Sequence, residues 1–393
     1  MQEKSLKVIQ FIDSYYPHVD GVVKVVDNYA KILNSMGDEC TVCVPNCGKH
    51  NQQIPYNVIT CPALFTGTEA HPAMPGLGIK MRKEVLNSGA DIIHAHSPFM
   101  MGHYGLKMAR KLGIPYVATF HSKFYDDFIA YTHSKKIAEF GVNYIVKLFN
   151  KADAVWAVNN GTAETLRSYG FKGEIGVMAN GVDCDCFYPE DPTPLIEAAN
   201  KAYPVPCEGF RILFVGQLIW QKNHKLVLDT VARLTNEGVP VSLTVAGAGD
   251  HGKAIMAYAE KLGIKNKVAY LGRVTDKKLL QGLYLRSELF FFPSMYDNAP
   301  ITLQEASLNR LPALLLAGSN AAECVRDWEN GYVCPDDAEV AQQIIKDIMA
   351  DPARNKQIGV NASNTIVNRW EDIMLNVRAA YIDLINKVKT DKK

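Results

Sequence analysis

Apolar positions in this chain come in short runs rich in Val, Ile and Phe. Each run is followed by a longer stretch in which apolar residues return every three or four positions. The runs predict buried strands and the longer stretches amphipathic helices; their regular alternation predicts βα units building a parallel sheet. The alternation occurs twice. Strands are expected at residues 7–12, 39–44, 91–94, 116–120, 154–158 and 174–178, and again at 211–215, 242–246, 268–271, 289–292 and 313–316. Between the two sets, Pro189, Pro192, Pro194, Pro204 and Pro206 mark residues 188–206 as a connection. Ile373, Val377, Tyr381, Leu384 and Ile385 share one helical face, predicting a terminal helix over 370–389 whose partner periodicity does not decide. The expected architecture is α/β. Two Rossmann-like, doubly wound parallel-sheet domains, 1–190 and 206–370, face a central cleft, and a helix at 371–393 is free to cross back to the first. A ligand is expected at the C-terminal ends of the strands.

The 393 residues, 48% of them hydrophobic, suffice for two cores. Lys plus Arg number 42 and Asp plus Glu 41, a net charge of +1 that provides no field to draw the chain onto nucleic acid. The polar residues 1–7 and the brief apolar run 8–12 do not read as an export signal or a membrane helix, so a cytoplasmic location is expected. Nine cysteines, an odd number, fit reduced thiols. Cys40, Cys43 and Cys47 have loosely metal-like spacing, but two of them fall on an expected strand with no neighbouring histidine, which favours small apolar fillers over zinc.

Several segments carry candidate chemistry. Gly21 follows the first strand and precedes a helix expected near 25–33, where backbone can approach an anion. His94 and His96 alternate at a strand end and point the same way, either shaping a cleft floor or holding a metal that lacks a third ligand. His121 ends another strand. Gly216, Gln217 and Lys222 occupy the first βα loop of the second half, where a lysine suits a phosphate. Gly247, Gly249 and Gly252 match Gly-x-Gly-x-x-Gly formally, but at a second βα unit and without an acidic residue ending the next strand. The segment Pro293-Ser-Met-Tyr-Asp297-Asn298-Ala299-Pro300-Ile301-Thr-Leu-Gln-Glu305 reads as a loop leading into a helix. Asp297 is expected in the loop and Glu305 two turns inside the helix. Paired carboxylates suit a glycosidase, whereas the free amides of the helix start suit a diphosphate. Asn180-Gly-Val-Asp183 reads as a turn.

Taken in order, these segments resemble a family 4 glycosyltransferase of the two-Rossmann-domain GT-B architecture, over nearly the whole chain. The most specific part is Pro-Ser-x2-Asp297-x7-Glu305-Ala, supported by the Asn-Gly-Val-Asp-x3-Phe turn and the Gly-x5-Lys loop. The resemblance implies hexose transfer from a nucleotide sugar, UDP-glucose or a related UDP-sugar, with retention and without a cofactor or metal. It implies that Glu305 holds the donor ribose, that Asp297 meets the donor sugar and that Lys222 neutralises the diphosphate. Gly21, Gly216, Gln217, Gly247, Asn298, Ala299 and Ile301 complete the donor site. His121 faces sugar and acceptor, and His94 and His96 line the acceptor side. The chain departs from the family pattern with Asp297 in place of Glu, Gln217 in place of Arg, a proline at 300, Arg310 in place of Gly, and Ala321-Ala322 in place of a glycine-bearing turn. Lys222, Asp297 and Glu305 persist, which favours an active enzyme.

The acceptor is the open question. Residues 80–151 hold eleven Lys or Arg against five Asp or Glu, and Phe124, Tyr125, Phe128, Ile129 and Tyr131 fall in the same window. Either this is solvated helix surface over core packing, or it docks on the anionic inner face of the cell membrane and admits a diacylglycerol-type acceptor. Rival readings are a soluble or polysaccharide acceptor, a nucleotide-sugar epimerase, a non-catalytic nucleotide-sugar-binding protein and a nicotinamide-dependent dehydrogenase.

Overall fold

Strands flanked by helices on both faces must be apolar on both faces, and the central runs singled out above, such as 116–120 and 289–292, are. The computed structural model describes residues 5–390 except Val19, His50, 66–70 and 183–186. It divides into one unit of residues 1–180 with 370–393, and a second of residues 181–369.

The first unit has seven parallel strands: β1 (Lys7–Phe11), β2 (Glu39–Pro45), β3 (Asn57–Cys61), β4 (Ile92–Ala95), β5 (Tyr116–Phe120), β6 (Ala154–Ala157) and β7 (Gly176–Val177). Their order across the sheet is 3-2-1-4-5-6-7. The helices are α1 (Gly21–Ser35), α2 (Ile79–Asn87), α3 (Met100–Leu112), α4 (Phe124–Thr132), α5 (Lys135–Phe149) and α6 (Asn160–Ser168). One core lies on each face. Cys40 belongs to the core containing α1, and Cys43 to the opposite one with Met101 and Ile145. Strand alternation thus points the two thiols to opposite faces, and both are apolar fillers.

The second unit opens with α7 (Thr193–Ala202), a helix inside the proline-rich stretch expected to be a plain connection. Pro194 sits in its first turn, where a missing N–H costs nothing. Its six parallel strands are β8 (Phe210–Val215), β9 (Val241–Ala246), β10 (Val268–Tyr270), β11 (Leu289–Phe292), β12 (Ala313–Leu316) and β13 (Tyr332–Cys334), in the order 10-9-8-11-12-13. Between and after them run α8 (His224–Asn236), α9 (Gly252–Lys261), α10 (Lys277–Leu285), α11 (Ile301–Leu308), α12 (Ala338–Ala350) and α13 (Pro352–Thr365).

The terminal helix α14 (Trp370–Thr390) belongs to the first unit. Trp370, Met374, Val377, Tyr381 and Ile385 are buried in the core that contains α1. Arg378 Nε lies 2.8 Å from the carboxylate of Asp38, whose side chain is 1% exposed, so the helix is pinned by a buried ion pair as well as by its apolar face.

Candidate active site

In each sheet the strand order reverses once, between β1 and β4 and between β8 and β11. Chain leaving the C-terminal ends of two such strands diverges to opposite faces and opens a crevice. In the second unit this geometry brings the loop after β8 to the loop after β11. Lys222, in a 3-10 turn (Trp220–Lys222), places Nζ 2.6 and 2.8 Å from the two carboxylate oxygens of Asp297. The pair is largely shielded, at 10% and 17% side-chain exposure, and Lys222 also lies 5.3 Å over the ring of Phe292. Ser294 is fully buried, and its Oγ lies within hydrogen-bond reach of the backbone N–H groups of Tyr296 and Asp297, bracing the loop. Asn298 is buried and accepts from Asn320 Nδ2 at 2.7 Å. Ala299 is half-buried and Pro300 caps α11; Leu303 N–H donates to the Pro300 carbonyl at 3.1 Å, so it is the N–H groups of Ile301 and Thr302 at the helix start that are available to an anion. Glu305 is the fifth residue of α11, just over one turn in, not two, because the helix begins only after Pro300. Its Oε2 accepts from the hydroxyl of the buried Tyr284 at 2.9 Å.

The glycines explain one another. A Cβ at Gly247 would lie 1.8 Å from the Gly216 carbonyl oxygen, one at Gly249 2.7 Å from Leu218 N and O, and one at Gly252 3.3 Å from a Leu218 methyl. All three residues of the Gly-x-Gly-x-x-Gly match are therefore occupied in seating their loop against residues 216–218, and Leu218 N–H donates to the Ala248 carbonyl at 3.1 Å. The backbone is not left open for a dinucleotide. Gln217 exposes its side chain while its carbonyl accepts from His224 Nε2 at 3.1 Å. Burial, assisted by the nearby Lys222, pushes His224 down to about 4.

In the first unit Gly21 is the first residue of α1, capped by Asp20, with open space where a Cβ would stand. The two histidines at the end of β4 do lie together, with ring centroids 4.0 Å apart. His94, expected to line the acceptor side, instead lies in the core. It is 0% exposed, with Nδ1 2.6 Å from the Tyr381 hydroxyl and Nε2 2.7 Å from Thr119 Oγ1, so both nitrogens are engaged inside the protein. His96 is buried and its Nδ1 is 3.2 Å from His121 Nε2. Only His121 of the three reaches partial exposure, and burial pushes it down to about 3, so it is neutral at physiological pH. Asp13, which the sequence pattern did not single out, follows β1 and accepts from Met101 N–H at 2.9 Å at the start of α3. Burial raises it to about 6 against the lowering effect of those amides. Asp183 lies outside the described residues. No group of three or more His, Cys, Asp or Glu suited to a metal occurs among the described residues.

Comparison with known proteins decides what this geometry belongs to. Residues 19–186 match the profile of Glycosyltransferase Family 4, and residues 196–365 that of Glycosyl transferases group 1. The chain is a family 4 glycosyltransferase. It is 23% identical to the alpha-monoglucosyldiacylglycerol synthase of Streptococcus pneumoniae over 89% of this chain and 80% of the relative. It is 24% identical to the enzyme of the same name from Acholeplasma laidlawii, over 96% and 97%. In fold it is similar to Anabaena HepE in complex with UDP and glucose, at a TM-score of 0.77 and 17% identity, covering 95% of this chain and 99% of that one. The glycosyltransferase thus has the GT-B fold. Nothing in the sequence pattern pointed to Tyr284, whose hydrogen bond holds Glu305 in place; Ser294 falls within the Pro-Ser-x2-Asp297 motif but had no role assigned to it there, and its hydrogen bonds brace the Asp297 loop.

Proposed function

We propose that this glycosyltransferase moves a hexose, glucose in the first instance, from a UDP-sugar to the hydroxyl of a diacylglycerol-type lipid, with retention of anomeric configuration. The observation that carries the donor half is the Lys222–Asp297 pair beside the start of α11. As the glycosidic bond breaks, negative charge gathers on the diphosphate, and a shielded lysine together with free helix amides stabilises charge where it develops. Asp297 holds Lys222 in place before the donor arrives and then turns to the sugar hydroxyls, and Glu305, oriented by Tyr284, takes the ribose. In a front-face displacement the acceptor oxygen bonds to the anomeric carbon on the side the diphosphate leaves. The departing phosphate oxygen takes the acceptor proton, so no protein nucleophile is needed. The cation required is supplied by Lys222, and the reading calls for no metal. His121, uncharged, is the first unit's hydrogen-bonding side chain assigned to the sugar.

The lipid half is supported by the names of the two relatives and by α5. One face of that helix buries Ala138, Val142, Ile145 and Val146, while Ile137, Phe140 and Tyr144 stand exposed among Lys135, Lys136, Lys147 and Lys151. An apolar stripe flanked by lysines suits the anionic inner face of a membrane. Phe124, by contrast, is buried, and Phe128 packs toward Gly141. No helix among the described residues is long and apolar enough to cross a membrane, so the association would be peripheral. Incubating the enzyme with a panel of nucleotide sugars and diacylglycerol-containing anionic vesicles, then determining the product and its anomeric configuration, tests the whole reading. An α-glucosyl lipid formed from UDP-glucose is expected. An inverted product, transfer only to soluble glycans, or UDP-GlcNAc interconversion without acceptor would overturn it.

A further inference from the structure

At the opposite end of the second sheet from Lys222, where β8, β11 and β12 begin, lies a cavity of about 800 Å³. Arg211, Arg286, Arg310 and Lys356 line it, and Glu288 is the one carboxylate among its described lining residues. Glu288 is already engaged, with Arg211 Nε 3.1 Å from both of its oxygens. Four cations against one carboxylate leave the lining with an excess of positive charge in a chain whose net charge is +1.

Arg286 sharpens the imbalance. It is 2% exposed, and its Nη1 donates to the Ala199 carbonyl, Asn200 Oδ1 and the Tyr203 carbonyl at 3.3, 3.0 and 2.6 Å, at the end of α7. Those carbonyls answer one edge of the guanidinium, but its Nη2 is buried with no hydrogen-bond partner, and no carboxylate pairs with it, among the described residues. Burial and the charge of Arg211 push it down to about 10, still protonated at neutral pH. Arg310 holds a left-handed backbone, φ 54°, with its guanidinium 4.0 Å from the centre of the Tyr188 ring, and Lys356 is exposed on α13. A buried charge without a counter-charge is costly, and a multivalent anion relieves it through charge-assisted hydrogen bonds.

We propose that this cavity binds a phosphate dianion, free or as a monoester, at a site separate from the Lys222 crevice. A dianion matches the excess charge better than a carboxylate does, and the volume admits a phosphorylated small molecule as readily as inorganic phosphate. Titration calorimetry on the full chain, at fixed ionic strength in chloride, with inorganic phosphate and with a hexose 6-phosphate, tests this. At least one of the two is expected to bind, with Kd raised about tenfold or more in Lys356→Glu and in Arg310→Gln, and unchanged in Lys222→Ala. Tighter binding of the hexose phosphate identifies an organic ligand, and equal binding identifies phosphate itself; both support the site. Lys356 is exposed on a helix, so that variant keeps the fold. Equal affinity in wild type and both cavity variants, loss of binding in Lys222→Ala, or no binding of either anion up to roughly 10 mM overturns the proposal.

Discussion

Replacing Asp297 with Ala strips Lys222 of the carboxylate that both its short contacts reach, at 2.6 and 2.8 Å. Were the pair on the surface, the loss would be under about 1 kcal/mol. At 10% and 17% exposure it is closer to a buried pair, for which leaving one charge uncompensated costs about 3 kcal/mol. For a unit of this size that lowers the melting temperature by roughly 6–12 °C. The double replacement Lys222→Met with Asp297→Ala removes both charges and should recover much of the loss. The functional consequence runs the other way. A lysine released from Asp297 is free for a diphosphate, so UDP should bind the Asp297→Ala variant about tenfold more tightly than wild type while sugar transfer falls. Thermal unfolding with and without UDP, together with calorimetric Kd values, measures all three effects. A single variant no less stable than the double, or weaker UDP binding after Asp297 is removed, would refute the idea that Asp297 holds Lys222 in readiness.

Tyr284→Phe deletes the hydroxyl that orients Glu305 and should raise the donor KM several-fold, about 1 kcal/mol, with little effect on the acceptor KM. Gly247→Ala drives a methyl into the Gly216 carbonyl and should prevent stable folding of the second unit, seen as loss of its melting transition. Acid should loosen the first unit before the second. Burial holds His94 and His96 well below 6.5 and His121 at about 3, so the unfolded chain takes up their protons first. The stability they confer is full above pH 6.5 and lost as pH falls. Asp13, raised to about 6, works in the opposite sense, but one such group against His94, His96, His103 and His121 leaves the first unit losing stability more steeply between pH 6 and 5 than the second, where His224 is the lowered histidine. Peptide-resolved hydrogen exchange at pH 7 and pH 5 reads the two units separately, and equal slopes would contradict this account. Phe140→Asp on the exposed face of α5 should weaken sedimentation with anionic vesicles at least severalfold without shifting the melting temperature.

The interior of each sheet was legible because its strands are unbroken apolar runs, as at 289–292, where burial on both faces leaves no room for polar alternation. The edges were not. β3 and β13 lie at sheet margins and are short or partly polar, and β7 shrinks to Gly176–Val177 within the expected 174–178. The Lys222 and Asp297 loops could be named from sequence, but not their contact across 75 positions, which follows from where the strand order reverses. His94 was misplaced for a related reason. Alternation shows that it and His96 share a face, but what covers that face is α14, whose Tyr381 is 287 residues away in the chain. The two-turn depth expected for Glu305 failed on a local matter, since Pro300 delays the helix start.

The assignment of α14 to the first unit bears on how the protein is made. Residues 1–180 of the first unit leave the ribosome before the second unit, yet Trp370, Met374, Val377, Tyr381 and Ile385, which close its core over α1, follow that unit. About 190 residues of the second unit intervene, roughly 10–40 s of synthesis. Through that interval the groove that receives α14, with Tyr29, Trp156 and the His94 ring, stands open to water. The second unit, continuous in sequence, can finish first. The unit begun earliest is thus completed latest, and a nascent chain stalled near residue 369 would expose this groove to chaperones and proteases.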